Sequence, residues 1–509
     1  TTRSNGDVIA MSGGEIKTLN GGEVHVMSGG KITTMESGLV QSFTNGEITT
    51  VNGGEIESMT GGLIGNFNLG GLLTLWDGGV INKFNRGTLI TWDSGTINEL
   101  VAGVIDLVHD NNLIKLMSDG TVTSMTGGEI TTITGGEVVA MSNGLVGNLN
   151  NGKITTMNGG NVTTMRNGEI TDLNGGVVAS MINGLIKTID GGTVTAMSGG
   201  NVTELKSGEI TGMTNGNVAK MSGGDIKTLN GGTVTTMTNG KVTDMLSGEI
   251  TTMNGGTVAA LKGGDIKTLD GGLVTNMSGG KITDMRDGNV TTMTNGEITA
   301  VNGGTIHEMT GGLIGSLNEG GLLEIFDGGV IDNFIKGTIG QWISRTINNM
   351  RDWTLLFVQD GNLITNMFDG RIVHMIGGEV TNMSGGEIAE LSGGDVGIMT
   401  DTALITLMNG GNVASLGGGK IITMDDGNVT TMSGGEITDL NGGTVASMTS
   451  GLIKSIDGGT VTAMSGGNVT ELKSGEITGM TNGIVATMSG GDIKTLNGGT
   501  VTTMTNGKV

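Results

Sequence analysis

Met197-Ser198-Gly199-Gly200-Asn201-Val202-Thr203-Glu204 is followed at once by Leu205-Lys206-Ser207-Gly208-Glu209-Ile210-Thr211-Gly212, and the same eight-residue sentence runs through most of the 509-residue chain. With slot 2 set at the near-invariant glycine (Gly200, Gly208), slot 4 is Ile or Val, slot 7 is Met or Leu, and slot 1 is Gly, Asn, Ser or Asp. The other slots hold mostly Thr, Ser, Asn, Glu or Lys. A fixed short period is the mark of stacked repeats rather than of several unlike domains.

Slots 1 and 2 read Asn215-Gly216, Asp287-Gly288, Ser207-Gly208 or Gly223-Gly224, pairs that tolerate positive φ, so each octad carries one sharp bend. Between bends the chain runs through a β-branched residue and threonines, as in Lys153-Ile154-Thr155-Thr156-Met157, which favours extended structure. Helix is excluded by a glycine bend in every octad. A hairpin meander would leave its apolar slots exposed, whereas a solenoid buries them. Slots 4 and 7 are three apart, so a flat strand would send them to opposite faces. The strand must turn a corner between them, or slot 7 must face a second chain. The fold class predicted is all-β, an elongated β-helix or β-solenoid of octapeptide repeats.

The 101 glycines, with no proline, cysteine or tyrosine, do not describe ordinary globular domains, and the fixed spacing of the apolar residues argues against disorder. A net charge of −23 repels nucleic acid and anionic membranes. The sequence contains no disulfide framework and no apolar run long enough to span a bilayer. The chain starts at Thr1 and stops at Val509 inside a repeat, which reads as a piece of a longer protein.

Two larger periods overlie the octad. Ile186, Ile226 and Ile266 head near-identical segments 40 residues apart, which is five octads. Leu72 matches Leu322 at a spacing of 250, or 31 octads plus two inserted residues. Duplication in odd numbers of octads points to the single octad as the structural unit. One-residue insertions fall near Leu69, Asn112, Glu319, Asn362 and Thr402. They divide the chain into regular shaft at residues 1–68, 119–318 and 369–509, and irregular aromatic-rich shaft at 69–118 and 319–368. In the second of these zones Arg345 and Trp353 replace the slot-2 glycine.

Slot 7 also takes Phe43, Phe67, Trp76, Phe84, Trp92, Phe326, Phe334 and Trp342. A position accepting Met, Leu, Phe and Trp is read as interior. The sharper alternative makes Trp76, Phe84, Trp92, Phe326, Phe334 and Trp342 a surface platform for stacking sugars or bases.

No chemistry-bearing constellation is legible. His25, His109, His307 and His374 are isolated from one another, and His307-Glu308 lacks the second histidine of a zinc-protease motif. Gly223-Gly224-Asp225 lacks the further aspartate of a calcium-binding nonapeptide, because slot 4 is Ile226. Gly152-Lys153 and Gly419-Lys420 run into Ile154 and Ile421 instead of the Ser or Thr of a phosphate loop. The slot-3 glutamates Glu129, Glu169, Glu209 and Glu249 are read as a solvated face that blunts lateral aggregation. Threonine rows at slots 5 and 6 are too often interrupted, as at Lys227 and Glu204, for an ice-matching lattice. No enzyme, metal or cofactor is expected.

A single chain could close coils of two or three octads, or three chains could intertwine. Here the sequence resembles the intertwined triple-stranded β-helices of phage tail needles and type VI secretion spikes, whose octapeptide is Val-x-Gly followed by five variable residues. Met197-Ser198-Gly199 and Met221-Ser222-Gly223 carry that glycine spacing, while Met213-Thr214-Asn215 departs from it. The chain also has Met or Leu for Val and a more constant glycine one residue later. The resemblance implies a homotrimeric shaft of a phage tail fibre or needle that transmits host contact mechanically. Its place would be the virion tail or an extracellular surface. Tail or baseplate proteins and a host receptor would then be met through regions outside this stretch. The other reading is a single-chain β-solenoid adhesin or surface filament that binds a glycan or partner through its aromatic-rich zones.

Overall fold

The computed structural model of the chain describes residues 1–343 and 345–509, which fold as strands joined by tight bends. They form two compact units, Thr1–Ala259 and Ala260–Val509. Each unit is a parallel β-solenoid. In the first, Thr121–Met125 pairs with Glu137–Met141, which pairs with Lys153–Met157. In the second, Lys281–Met293 pairs with Glu297–Val301, which pairs with Thr305–Leu317. The partner of each octad in these ladders lies sixteen residues away in the same chain (Glu137↔Lys153, Glu297↔Leu313).

A coil therefore consists of two octads facing each other, the sixteen-residue coil of the single-chain alternative. The sequence reading that favoured the octad as the complete unit and three chains sharing the ladder gives way to this geometry within each unit. The reason is that one octad supplies only one wall, and the second octad supplies the wall that covers it. Because the two walls are chemically equivalent, inserting an odd number of octads preserves the register, so the five-octad period is compatible with a two-octad coil. At roughly 4.8 Å per layer, the 259 residues of the first unit make a solenoid of about sixteen coils and about 75 Å.

The corner between slots 4 and 7 is present. In the ladder of Thr121–Met125, residues pair at Thr121↔Glu137 and Val122↔Val138, then at Ser124↔Ala140 and Met125↔Met141, and slot 5 is skipped. That break rotates the strand so that slots 4 and 7 both point inward while slots 3, 5 and 6 point out. Ile210, Met213, Val218 and Met221, successive slots 4 and 7 of one coil, are all fully buried. The backbone ladder continues through the bends, where the Asn217 amide donates to Gly200 O (3.0 Å) and the Thr214 amide to Met197 O (2.8 Å).

The slot-2 glycine is required twice over. Gly216 has φ +113°, and a Cβ there would stand 2.7 Å from Met197 Cε and 2.8 Å from Gly200 O. The methionine of one coil fills the hole that the glycine of the next coil leaves. At some bends slot 1 takes the positive φ instead: Asp352 (φ 53°) precedes Trp353. Arg86 and Asn167 do the same before Gly87 and Gly168.

The one-residue insertions become seventeen-residue coils: Glu55↔Leu72, Thr96↔Leu113, Thr305↔Leu322, Thr346↔Leu363 and Glu387↔Leu404. At four of them the extra residue is absorbed in a turn whose amide bonds back three residues. Asn112 N donates to His109 O (2.9 Å), Gly321 N to Asn318 O (3.1 Å), Asn362 N to Gln359 O (3.0 Å) and Ala403 N to Thr400 O (3.1 Å). No helix among the described residues is long and apolar enough to cross a membrane.

Two substitutions separate the structural glycine from an incidental one. Gly216→Ala meets both strain and collision and is expected to lower stability by about 1–3 kcal/mol. Gly212 has no positive φ, and its Cβ would find only Thr195 O at 3.7 Å, so Gly212→Ala is expected to be neutral or slightly stabilising. Urea unfolding followed by circular dichroism reads both; equal effects would contradict the interlock.

Candidate functional site

The slot-7 aromatics lie inside the coils. Phe43, Phe67, Trp76, Phe84, Phe326 and Phe334 are fully buried, and Trp92 and Trp342 are 4% and 9% exposed. Their rings stack along the solenoid axis on the ring one coil away: Trp76 on Trp92 at 4.8 Å and 5°, Phe67 on Phe84 at 5.5 Å, and Phe326 on Trp342 at 6.3 Å. Ring faces used in this way are covered by protein.

What the two aromatic zones do present is a pair of clefts at matching places, 250 residues apart. In the second unit Thr338–Trp342 pairs on one side with Leu322–Phe334, and Thr354–Val358 pairs on its far side with Arg371–Met383. Between Thr338–Trp342 and Thr354–Val358, where a regular coil would continue the ladder, no strand register joins the described residues. The opposite wall of the same coils is intact, with Ile331↔Ile347 and Ile347↔Ile364. The open wall encloses a cleft of about 730 Å³ lined by Ile339, Trp342, Trp353, Leu355, Leu356 and Phe357 among others. The first unit has a narrower counterpart of about 250 Å³ along Leu89, Trp92, Ile105 and Leu107.

Local chemistry explains the difference in width. Trp353 stands where the first unit has Gly103, and its ring meets Phe334 edge-on at 6.3 Å, which places an indole in the slot that is otherwise empty. In the first unit Asn112 Nδ2 donates to Trp92 O (3.3 Å) and ties the turn to the strand. The equivalent Asn362 keeps the turn bond from Gln359 N to its Oδ1 (2.8 Å), but its Nδ2 is buried and unpartnered among the described residues. Trp76 Nε1 donates to Gly78 O (2.7 Å), whereas Trp92 Nε1 and Trp342 Nε1 are buried without a partner among the described residues. A buried donor left in that state costs about 1–3 kcal/mol.

Apolar side chains also stand in outward slots around the clefts. Leu356 is 65% exposed and Phe357 51%, at slots 5 and 6 that elsewhere hold threonine. In the first unit Ile90 and Leu107 are exposed in the same way. This signal was present in the sequence as Leu355-Leu356-Phe357, and the reading of slots 4 and 7 alone passes over it.

The remaining polar residues form ladders. Glu169 meets Lys187 at 2.8 Å, Glu209 meets Lys227 at 3.4 Å, and Glu129 and Glu249 accept from Thr131 (3.0 Å) and Thr251 (2.8 Å) on their own strands. The slot-3 carboxylates are thus bonded along and across strands. His25, His307 and His374 bond singly to Gln41, Glu324 and Glu390, and the His374 ring stacks on Phe357 at 5.3 Å. Among the described residues no three His, Cys, Asp or Glu side chains are gathered so as to hold a metal ion.

No protein-family model matches the chain, and neither the curated proteins nor the solved structures contain a match to it.

Glu436 is a ladder carboxylate bonded by three side chains. Lys454 Nζ (2.7 Å) and Lys420 Nζ (3.0 Å) flank it, and Thr438 donates at 3.0 Å, which together hold its carboxyl at about 2. A lowered folded-state pKa contributes stability that is present above the unfolded value and lost as pH falls through the folded one. Between about pH 4.5 and 2, stability is expected to fall less steeply in Glu436→Gln than in the parent, while at pH 7 the variant is the less stable. Urea midpoints across that window read the effect; parallel curves would contradict the ion pair's role.

Proposed function

We propose that this chain is a structural shaft, a stretch of a phage tail fibre or needle that carries host contact mechanically, with no catalytic role. The observation that carries the reading is the closed interior. Over the regular stretches, successive coils put mostly Ile or Val, then Met or Leu, at the same inward places, fully buried as at Val24, Met27, Val485 and Met488. A parallel ladder loaded along its axis shares force over many backbone bonds, and its outer slots offer Thr, Glu and Lys rows in place of a cleft over most of their length. The net charge of −23 keeps neighbouring shafts apart.

The resemblance to tail needles supplies the viral setting and the homotrimer. Since these ladders find their partners within one chain, copies would associate through outer faces. A solution mass of three times 51.5 kDa supports the trimer, and a mass of 51.5 kDa removes it and leaves the shaft. The second reading, a single-chain surface adhesin or extracellular filament, is favoured by the clefts in both aromatic zones and their exposed Ile90, Leu107, Leu356 and Phe357.

Antibody raised against the chain and gold-labelled for electron microscopy of the source preparation separates the two. Label along a tail appendage of virions supports the shaft. Label on the cell surface supports the adhesin, and label confined to the cell interior overturns both.

A further inference from the structure

We propose that the cleft of the second unit accepts an extended, uncharged polypeptide strand from a partner, inserted as an additional rung between Thr338–Trp342 and Thr354–Val358, which do not pair with each other.

Three observations point to a peptide backbone as the occupant. First, among the described residues the two strands flanking the cleft each have a ladder partner on the outer side only, so their facing edges present backbone donors and acceptors without a strand partner. Unpaired edges are templates for strand addition, and here two parallel edges face one gap. Second, Trp342 lines the cleft and its Nε1, in a side chain more than nine-tenths buried, has no partner among the described residues. A peptide carbonyl would supply the acceptor. Third, no residue lining the cleft carries a charge, in a chain with 75 charged side chains, so the recognised segment is neutral where it enters.

The register defines the side chains. A strand pairing with Ile339 and Trp342 would point inward at two positions three residues apart, as slots 4 and 7 do. The segment recognised therefore carries apolar residues in the pattern apolar-x-x-apolar, with small or hydroxyl residues between them. A cleft of about 730 Å³ is in the range of ligand sites, whereas the first unit's 250 Å³ falls below it, so the second unit is the acceptor. The inference rests on the cleft alone and stands or falls apart from the shaft reading.

The probe is a nine-residue synthetic peptide that spans one of the chain's own neutral octads, Asn-Gly-Gly-Thr-Val-Ala-Ser-Met-Thr (the sequence of Asn441–Thr449), carrying an amino-terminal fluorophore and an amidated carboxy terminus. Titrated with the full chain, it is expected to show saturable anisotropy and a change in indole emission. The same peptide N-methylated at its Val and Ser amides keeps every side chain but loses ladder donors, and is expected not to bind. Trp342→Phe, which removes only the indole donor and some area, is expected to weaken binding about three- to tenfold. Should that variant lose its strand circular dichroism, Leu356→Lys serves instead, because Leu356 is exposed and its replacement puts a charge at the mouth of the cleft. Absence of saturable binding overturns the proposal. So does equal binding of the N-methylated peptide, which would mark a side-chain pocket, or unchanged affinity in the folded variant.

Discussion

Each coil depends on a void being filled by its neighbour. At slot 2 the backbone bends with positive φ over the interior, and the absence of a Cβ there opens a hole that the slot-7 methionine of the adjacent coil enters, as Met197 Cε does at Gly216. The bend, the core and the stacking distance are thereby set by one contact repeated along the ladder. Met suits the task because an unbranched, flexible thioether can follow a backbone hole that Ile or Val cannot reach. The corner at slot 5 then follows, since slots 4 and 7 must both reach the same narrow interior.

The same contact accounts for the two irregular zones. When Trp or Phe takes slot 7, the ring lies over the next coil's glycine as the methionine does, with Trp76 Cε2 2.7 Å from where a Cβ of Gly95 would stand, and in the irregular zones it also stacks on the ring of the next coil, as Trp76 does on Trp92. Where Trp353 stands at slot 2, the positive φ lies at Asp352 and the indole packs edge-on against Phe334 beside the open wall. The cleft of the second unit is larger than that of the first where the hole is plugged and where Asn362 lacks the tie that Asn112 makes to Trp92 O. Calibre along these solenoids is tuned by what fills slots 2 and 7.

Much of this was legible in the sequence because the period is short and each slot has a distinct chemistry. Gly208, Ile210 and Met213 announce bend, core and core, and the extra residues near Asn112 and Asn362 sit where seventeen-residue coils occur. The number of octads per coil was not legible. Two walls built from the same octad carry no sixteen-residue signal, so Ile186 and Ile226, five octads apart, read as equivalent although they occupy opposite walls. The clefts were legible only in part. Leu356 and Phe357 in outward slots and Trp353 in a glycine slot flag a disturbance, but whether a wall opens depends on ladder bonds that no residue pattern spells out.

The central claim is that each ladder is closed within one chain at a spacing of sixteen. The chain has no cysteine, so a pair placed at Thr236 and Thr252, outward neighbours in the ladder, gives a clean reading. Adjacent parallel strands bring Cα atoms within disulfide reach. Oxidation of a mixture of 14N- and 15N-labelled chains of the double variant Thr236→Cys, Thr252→Cys, followed by peptide mapping, is predicted to give the 236–252 disulfide within single chains only. Cross-links joining 14N to 15N chains at these positions would contradict the account and restore a ladder shared between intertwined copies.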